Sequence, residues 1–225
     1  MKRIAITALS HPLVDILHSC DHDFLSRWGL QPGSYGLSSR AEQDSLIDSC
    51  GDVESALCLG GSAINSVACA RQLGVHCSVL GLAGDDLFGQ HYLQELKRLD
   101  IHVPLPLEAG ARTGTCLSLI NPDGERTMRT CLGVATNFAS EHLVGETITS
   151  SSWLLLEGYF LTASKQNNAA LVSAIRLAKS AGVKVAFSVA AEFVVRAEKA
   201  TILDVVLPST DLLFANEGEA MLLSG

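Results

Sequence analysis

Three groups of residues in this 225-residue chain have types and spacings that could do chemistry. The first lies in LGGSAINSVACARQLG, Leu59–Gly74, where two adjacent glycines open a run of small apolar residues and a carboxamide follows at Asn65. Glycine weakens a helix, so a pair at a helix start implies a special backbone geometry or the close approach of another group. Bare backbone at Gly60 and Gly61, with both a donor and an acceptor on Asn65, suits vicinal hydroxyls. Tight strand–helix packing would use the same glycines. The second is Asp15 in HPLVDIL, whose carboxylate can accept two hydroxyl hydrogen bonds at once; an ordinary turn aspartate has the same surroundings. The third is NEGE, where Asn216 and Glu219 stand three apart at a helix start and so share one face. Free amides at such a start favour anions. A capping Asn with a solvated Glu is the alternative there.

Other chemistries fit less well. The glycines lack the G-x-G-x-x-G spacing of a dinucleotide fingerprint, and no G-x-x-x-x-G-K-[ST] phosphate loop is present. Asp15, His18 and His22 fall at helical intervals, but a zincin pattern needs Glu where Ser19 stands, so histidines in a polar turn are the simpler reading. The seven cysteines form no C-x-x-C pair, which reads as reduced thiols in a cytoplasmic protein. A net charge of -8 and no Lys/Arg run longer than two argue against a nucleic-acid partner. No apolar run approaches the roughly 20 residues of a membrane span, and the start lacks a signal-peptide pattern.

The elements that must position these groups alternate. RIAITAL, SALCL, HCSVLGLAG, SWLLLEGYF, VKVAFSV and DLLFA read as strands. Helices are expected around 24–29 and 41–50, after Gly61, over DDLFGQHYLQELKRL with Asp85 or Asp86 as cap, over SKQNNAALVSAIRLAKSAG, and from NEGE onward. This predicts an α/β fold: a mainly parallel sheet with helices on both faces. TGTCLSLI and NPDGERTMRTCL break the rhythm as a hairpin, a candidate antiparallel flap over one end of the sheet. Gly60-Gly61, Gly84-Asp85 and Asn216 follow predicted strands and should share the ligand-binding rim at the strands' carboxyl ends.

Four ordered segments resemble the ribokinase-like (PfkB) family of carbohydrate and nucleoside kinases. Gly60, Gly61, Ala63, Asn65, Gly74 and Gly84 stand at the intervals of its first signature, with Val67 where the family has a smaller residue. GLAGDDLFGQHYLQELKRLDIHV resembles its Gly-Asp-Asp…Phe-Gly segment, RTGTCLSLINPDGERTM its lid hairpin, and NEGE its Asn-x-x-Glu motif. HPLVDIL, DHDFLSRWGLQPGS and RTMRTCLGVATNF look most like the adenosine-kinase-like branch, while Ala190-Ala191-Glu192 departs from its polar Asp-Pro stretch.

The resemblance implies a ribokinase-like α/β domain over 1–225 with a β lid from about 10–40 and 103–135. It implies sugar or nucleoside binding by Asp15, Gly60, Gly61 and Asn65, with Leu117 and Leu119 covering the apolar part of the substrate. Asn216 and Glu219 would help to organise ATP phosphates and Mg²⁺, Glu219 meeting the metal through water. A homodimer through the lid is a further expectation. The family's base is an Asp in a later Gly-Ala-Gly-Asp segment, expected beyond Gly225, so no catalytic base is assigned here. The chain therefore reads as part of a longer kinase, partial at its C-terminal side, the alternative being a short, catalytically inactive sugar- or nucleoside-binding protein.

Overall fold

Apolar strands and one-sided helices sort into two sheets that meet along a cleft. In the computed structural model, residues 4–51 and 55–225 are described; the basic beginning, Met1–Arg3, lies outside them. In chain order the elements are β1 (Ile6–Leu9), β2 (Leu13–Ser19), α1 (His22–Arg27), β3 (Tyr35–Leu37), α2 (Arg40–Ser49), β4 (Ala56–Gly60), α3 (Ser62–Gln72), β5 (Cys77–Leu80), β6 (Ala83–Gly84), α4 (Leu87–Arg98) and β7 (Leu107–Glu108). They continue with β8 (Gly114–Ile120), β9 (Arg126–Cys131), α5 (Gly145–Thr149), β10 (Trp153–Glu157), α6 (Tyr159–Ala163), α7 (Lys165–Ser180), β11 (Lys184–Ser188), α8 (Glu192–Thr201), β12 (Leu212–Phe214) and α9 (Glu217–Ser224).

The main sheet runs β12-β11-β10-β1-β5, every neighbouring pair parallel. Helices cover one face of this sheet, and α3 and α4 cover the other over β1 and β5; toward β12 that second face is open, where Trp153, Leu155, Ala186, Leu212 and Phe214 line a cavity and all of β12 is exposed. Leu9 and Leu80 point into one core with α7, whose Ala170, Leu171, Ala174, Ile175 and Ala178 form a single buried stripe. Ala8, Cys77 and Val79 point the other way, against Ala63, Ile64 and Val67 of α3 and Tyr92 and Leu96 of α4. Ser164 caps α7 by accepting from the Asn167 amide at 3.1 Å, and Gly182 ends the turn after it at φ 69°.

The second sheet runs β3-β9-β8-β2-β4 and is mixed: β2–β8 and β3–β9 are parallel, β8–β9 and β2–β4 antiparallel. One face is closed by α1 and α2, with Ile16, Phe24, Leu25, Leu46, Leu117 and Leu119 at its centre. The other face looks toward the carboxyl ends of the main strands.

Three expectations change. SALCL does not join the parallel sheet; as β4 it pairs antiparallel with β2 at an edge, where Leu57 and Cys58 are exposed rather than sandwiched. HPLVDIL is no turn but the start of β2, whose residues alternate between half-buried and buried. HCSVLGLAG divides after Leu80, and Ala83–Gly84 form a separate two-residue ladder with Leu107–Glu108. Gly84 and Asp85 therefore do not follow a main-sheet strand directly.

Candidate functional site

Register decides which side chains reach the cleft. Asp15 on β2 is paired with Cys58 on β4 and Cys116 on β8, and Cys116 with Thr130 on β9. Thr130 and Met128 pair in turn with Leu37 and Tyr35 of β3. Paired residues point the same way, so Cys58, Asp15, Cys116, Thr130 and Leu37 form a row across the open face. Leu117 and Leu119 lie on the opposite face. They are 1% and 0% exposed, packed under α1 and α2. The expectation that they cover a ligand is corrected: they form the core that stiffens the sheet, and their neighbours Cys116 and Ser118 share the face of Asp15.

Asp15 sits against bare backbone. A Cβ on Gly60 would fall inside the Asp15 carboxyl, so any larger residue there displaces that carboxyl. Burial pushes the Asp15 carboxyl up to about 6, and the Arg126 guanidinium pulls it back only in part. Gly61 follows at φ 102° as the N-cap of α3, a conformation that favours glycine. One turn later the Asn65 amide donates to the Gly61 carbonyl at 3.0 Å, and the Asn65 side chain is exposed. The structure thus brings Asp15, Gly60 and Gly61 together at the junction of β2, β4 and α3, with Asn65 one turn into α3.

Across the cleft stand three aromatic rings that the sequence did not single out. Tyr35 of β3 lies 6.3 Å from Tyr159 and 6.4 Å from Phe193, centroid to centroid, and Tyr159 lies 6.0 Å from Phe193. They join the second sheet to α6 and α8 of the main body. Tyr159 donates to the Ala190 carbonyl at 3.3 Å, and Ala190 holds φ 79°, rare for a residue with a side chain. Burial, then the nearby Tyr35 and Glu157, push the Tyr159 phenol up to about 12, so it remains a hydrogen-bond donor at neutral pH. The aromatic cluster joins residues 35, 159 and 193, separations over which sequence periodicity carries no signal.

Asn216 and Glu219 occupy the start of α9. The Asn216 side-chain oxygen accepts from the Glu219 amide at 2.9 Å, and the Glu219 carboxylate accepts from the Asn216 amide at 3.0 Å and from its carboxamide at 3.1 Å. This is a reciprocal capping box, with Glu219 buried rather than solvated. The carboxylate keeps acceptor sites for ordered water beyond those two bonds. Among the described residues, no group of three His, Cys, Asp or Glu side chains is placed to hold a metal. Asp15, His18 and His22 do not converge: β2 turns Asp15 and His18 to opposite faces, and His18 pairs with Ser55 at 3.2 Å. All seven cysteines are free thiols. No helix among the described residues is long and apolar enough to cross a membrane.

Comparison with known proteins agrees with this geometry. The family described as pfkB family carbohydrate kinase matches residues 43–225. Adenosine kinase of Dictyostelium discoideum is 29% identical over 99% of this chain and 66% of its own length. Adenosine kinase 2 of Arabidopsis thaliana is 24% identical over 97% of this chain and 64% of its own. The chain thus spans just under two thirds of the length of these curated relatives. Among solved structures, adenosine kinase from Sinorhizobium meliloti superposes with a TM-score of 0.90 at 25% identity, over 99% of this chain and 68% of that one. A probable sugar kinase from Rhizobium etli CFN 42 shares the fold with a TM-score of 0.90 at 22% identity, over 100% of this chain and 68% of that one.

Proposed function

The chain belongs to the pfkB family of carbohydrate kinases, and on that premise we propose that it grips the hydroxyls of a sugar or nucleoside for ATP-dependent phosphoryl transfer. The carrying observation is the Asp15 carboxyl, half-buried against Gly60 and raised to about 6 with no hydrogen bond among the causes of its shift. Such a group has its acceptor sites free for two hydroxyls. Asn65 and the backbone of Gly60 and Gly61 complete the polar side. Tyr35, Tyr159 and Phe193 supply aromatic faces for a planar ring. That favours a purine nucleoside, in keeping with the adenosine kinases among its relatives.

In this reading the second sheet is the lid, drawn from about 10–40 and 103–135 together with β4. The start of α9 faces the nucleotide phosphates. Glu219 would meet Mg²⁺ only through water, since Asn216 already engages both of its oxygens. The ion would supply charge neutralisation on the phosphates. The setting is cytoplasmic. A homodimer through the lid would form at the open edge of β4, where Leu57 and Cys58 are exposed.

Isothermal titration with adenosine, ribose, fructose and NAD tests the reading. Adenosine or a sugar should bind and NAD should not; a response to NAD alone, or to none of the four, overturns it. Turnover separates the second reading, a sugar- or nucleoside-binding protein without transfer. ATP-dependent phosphorylation of the bound nucleoside or sugar supports transfer, and binding without phosphorylation supports the second reading.

A further inference from the structure

The glycine turn that Asp15 leans on has no cap of its own. Gly61 stands at the N-cap of α3 with no side-chain hydrogen bond to the helix, and the first amides of any helix need outside acceptors. The acceptor comes from a strand 94 residues away. Glu157, the last residue of β10, accepts from the Ala63 amide at 2.7 Å, and the Ser62 hydroxyl donates to the same oxygen. Its other oxygen accepts from the Ser10 hydroxyl at 3.1 Å. Ser10 closes the arrangement, since a Cβ on Gly61 would stand 3.3 Å from its hydroxyl and 3.2 Å from the His11 carbonyl. One carboxylate therefore joins the chain after β1, the end of β10 and the start of α3.

Glu157 is 3% exposed. Desolvation raises its pKa, and the three donors only partly offset that. Burying a carboxylate is unfavourable, and an apolar residue would pack there without that penalty. What the carboxylate adds is acceptor capacity on both oxygens at a helix N-terminus, where a negative charge is favoured. We propose that Glu157 is a positioning residue, which holds the Gly60–Gly61 turn in the geometry by which Asp15 and Asn65 grip a diol. Its consequence for binding rests on the function proposed above; its effect on the turn does not.

Two measurements on Glu157→Ala and the isosteric Glu157→Gln test this. In the free protein, amide hydrogen exchange at Ala63 should quicken about tenfold or more in Glu157→Ala, less in Glu157→Gln, with α7 unchanged. Affinity for adenosine should fall about tenfold in Glu157→Ala, while affinity for 2′,3′-dideoxyadenosine, which offers no diol, should change less than twofold. Glu157→Gln keeps one acceptor and should recover part of the loss. Unchanged exchange at Ala63, exchange that quickens equally in α3 and α7, or equal losses for the two ligands would overturn the proposal. Should Glu157→Ala not fold, Glu157→Gln decides by the same two readouts. If the unaltered chain binds neither nucleoside, the diol reading fails, and the exchange measurement alone still decides whether Glu157 holds the turn.

Discussion

Asp15 and Glu219 are both carboxylates on elements that border one cleft, and they differ in what they have left to offer. Glu219 is served by its own helix: both of its oxygens accept from Asn216, three residues away. Asp15 gains its environment from three strands and a glycine 45 positions further on; burial raises its pKa and no hydrogen bond from the protein offsets that rise. One carboxylate is engaged on both oxygens by its own helix and keeps only its remaining acceptor sites for water; the other takes no protein hydrogen bond that lowers its pKa and is placed by tertiary structure. A binding group is marked less by its residue type than by hydrogen-bonding capacity that the fold keeps open at a cost.

Removing the open carboxylate should have the largest effect. Asp15→Asn should weaken adenosine or sugar binding about 10²–10⁴-fold by titration calorimetry, as expected for two hydrogen bonds to a charged group at about 1.5–3 kcal/mol each. The same variant should melt slightly higher than the parent at pH 8. The sign follows from linkage: a carboxyl raised to about 6 in the folded state, against the ordinary aspartate value of 3.8, disfavours folding once ionised. That gain should vanish below about pH 4. A Tm that falls at pH 8 would show that Asp15 is satisfied and remove the contrast with Glu219.

Gly60→Ala should follow, at about 10–100-fold weaker binding, because the new methyl displaces the Asp15 carboxyl. Acid should sharpen the comparison next. Diol affinity should fall as pH drops through about 6, approaching tenfold per unit below it, as a proton takes the place of the hydroxyls. A flat profile from pH 5 to 7 would count against Asp15 as the acceptor. Stability has its own acid limb: His11, buried against Phe160 and bonded to Asn167, is lowered to about 4. The unfolded chain therefore takes a proton that the folded one refuses, and stability contributed by neutral His11 should be lost from about pH 6.5 toward 4. Thermal melts of His11→Gln should lack that limb.

The smallest effect belongs to the locally satisfied pair. Asn216→Ala should lower stability by about 1 kcal/mol through loss of the cap, read by denaturant titration, and leave diol affinity within twofold. A tenfold loss of diol affinity would show that the two ends of the cleft act together.

Much of this was legible in short stretches of chain. The glycine pair, Asn65, the α7 helix and the Asn216 cap depend on neighbours within about a turn, which local patterning reports directly, whereas the burial of Glu219 in a reciprocal box is not legible there. The direction of Leu117 and Leu119 was not legible. In a strand one step of register exchanges the two faces, and both faces of β8 are lined by buried residues, so hydrophobicity did not distinguish core from cleft. Asp15 read as a turn residue because its strand is flanked by Pro12 and carries polar groups at Asp15, His18 and Ser19.

By itself, then, the sequence determined the α/β alternation, the glycine turn with its carboxamide, and the cap of α9, because each is set by contacts over a few residues. Only the tertiary structure decided that Asp15 lies over Gly60, that Leu117 and Leu119 turn inward, that Tyr35 meets Tyr159 and Phe193, and that Glu157 reaches back to Ala63. The physical reason is that burial and register, which set these pairings, are properties of how distant strands align and appear nowhere in the order of residues along any one of them.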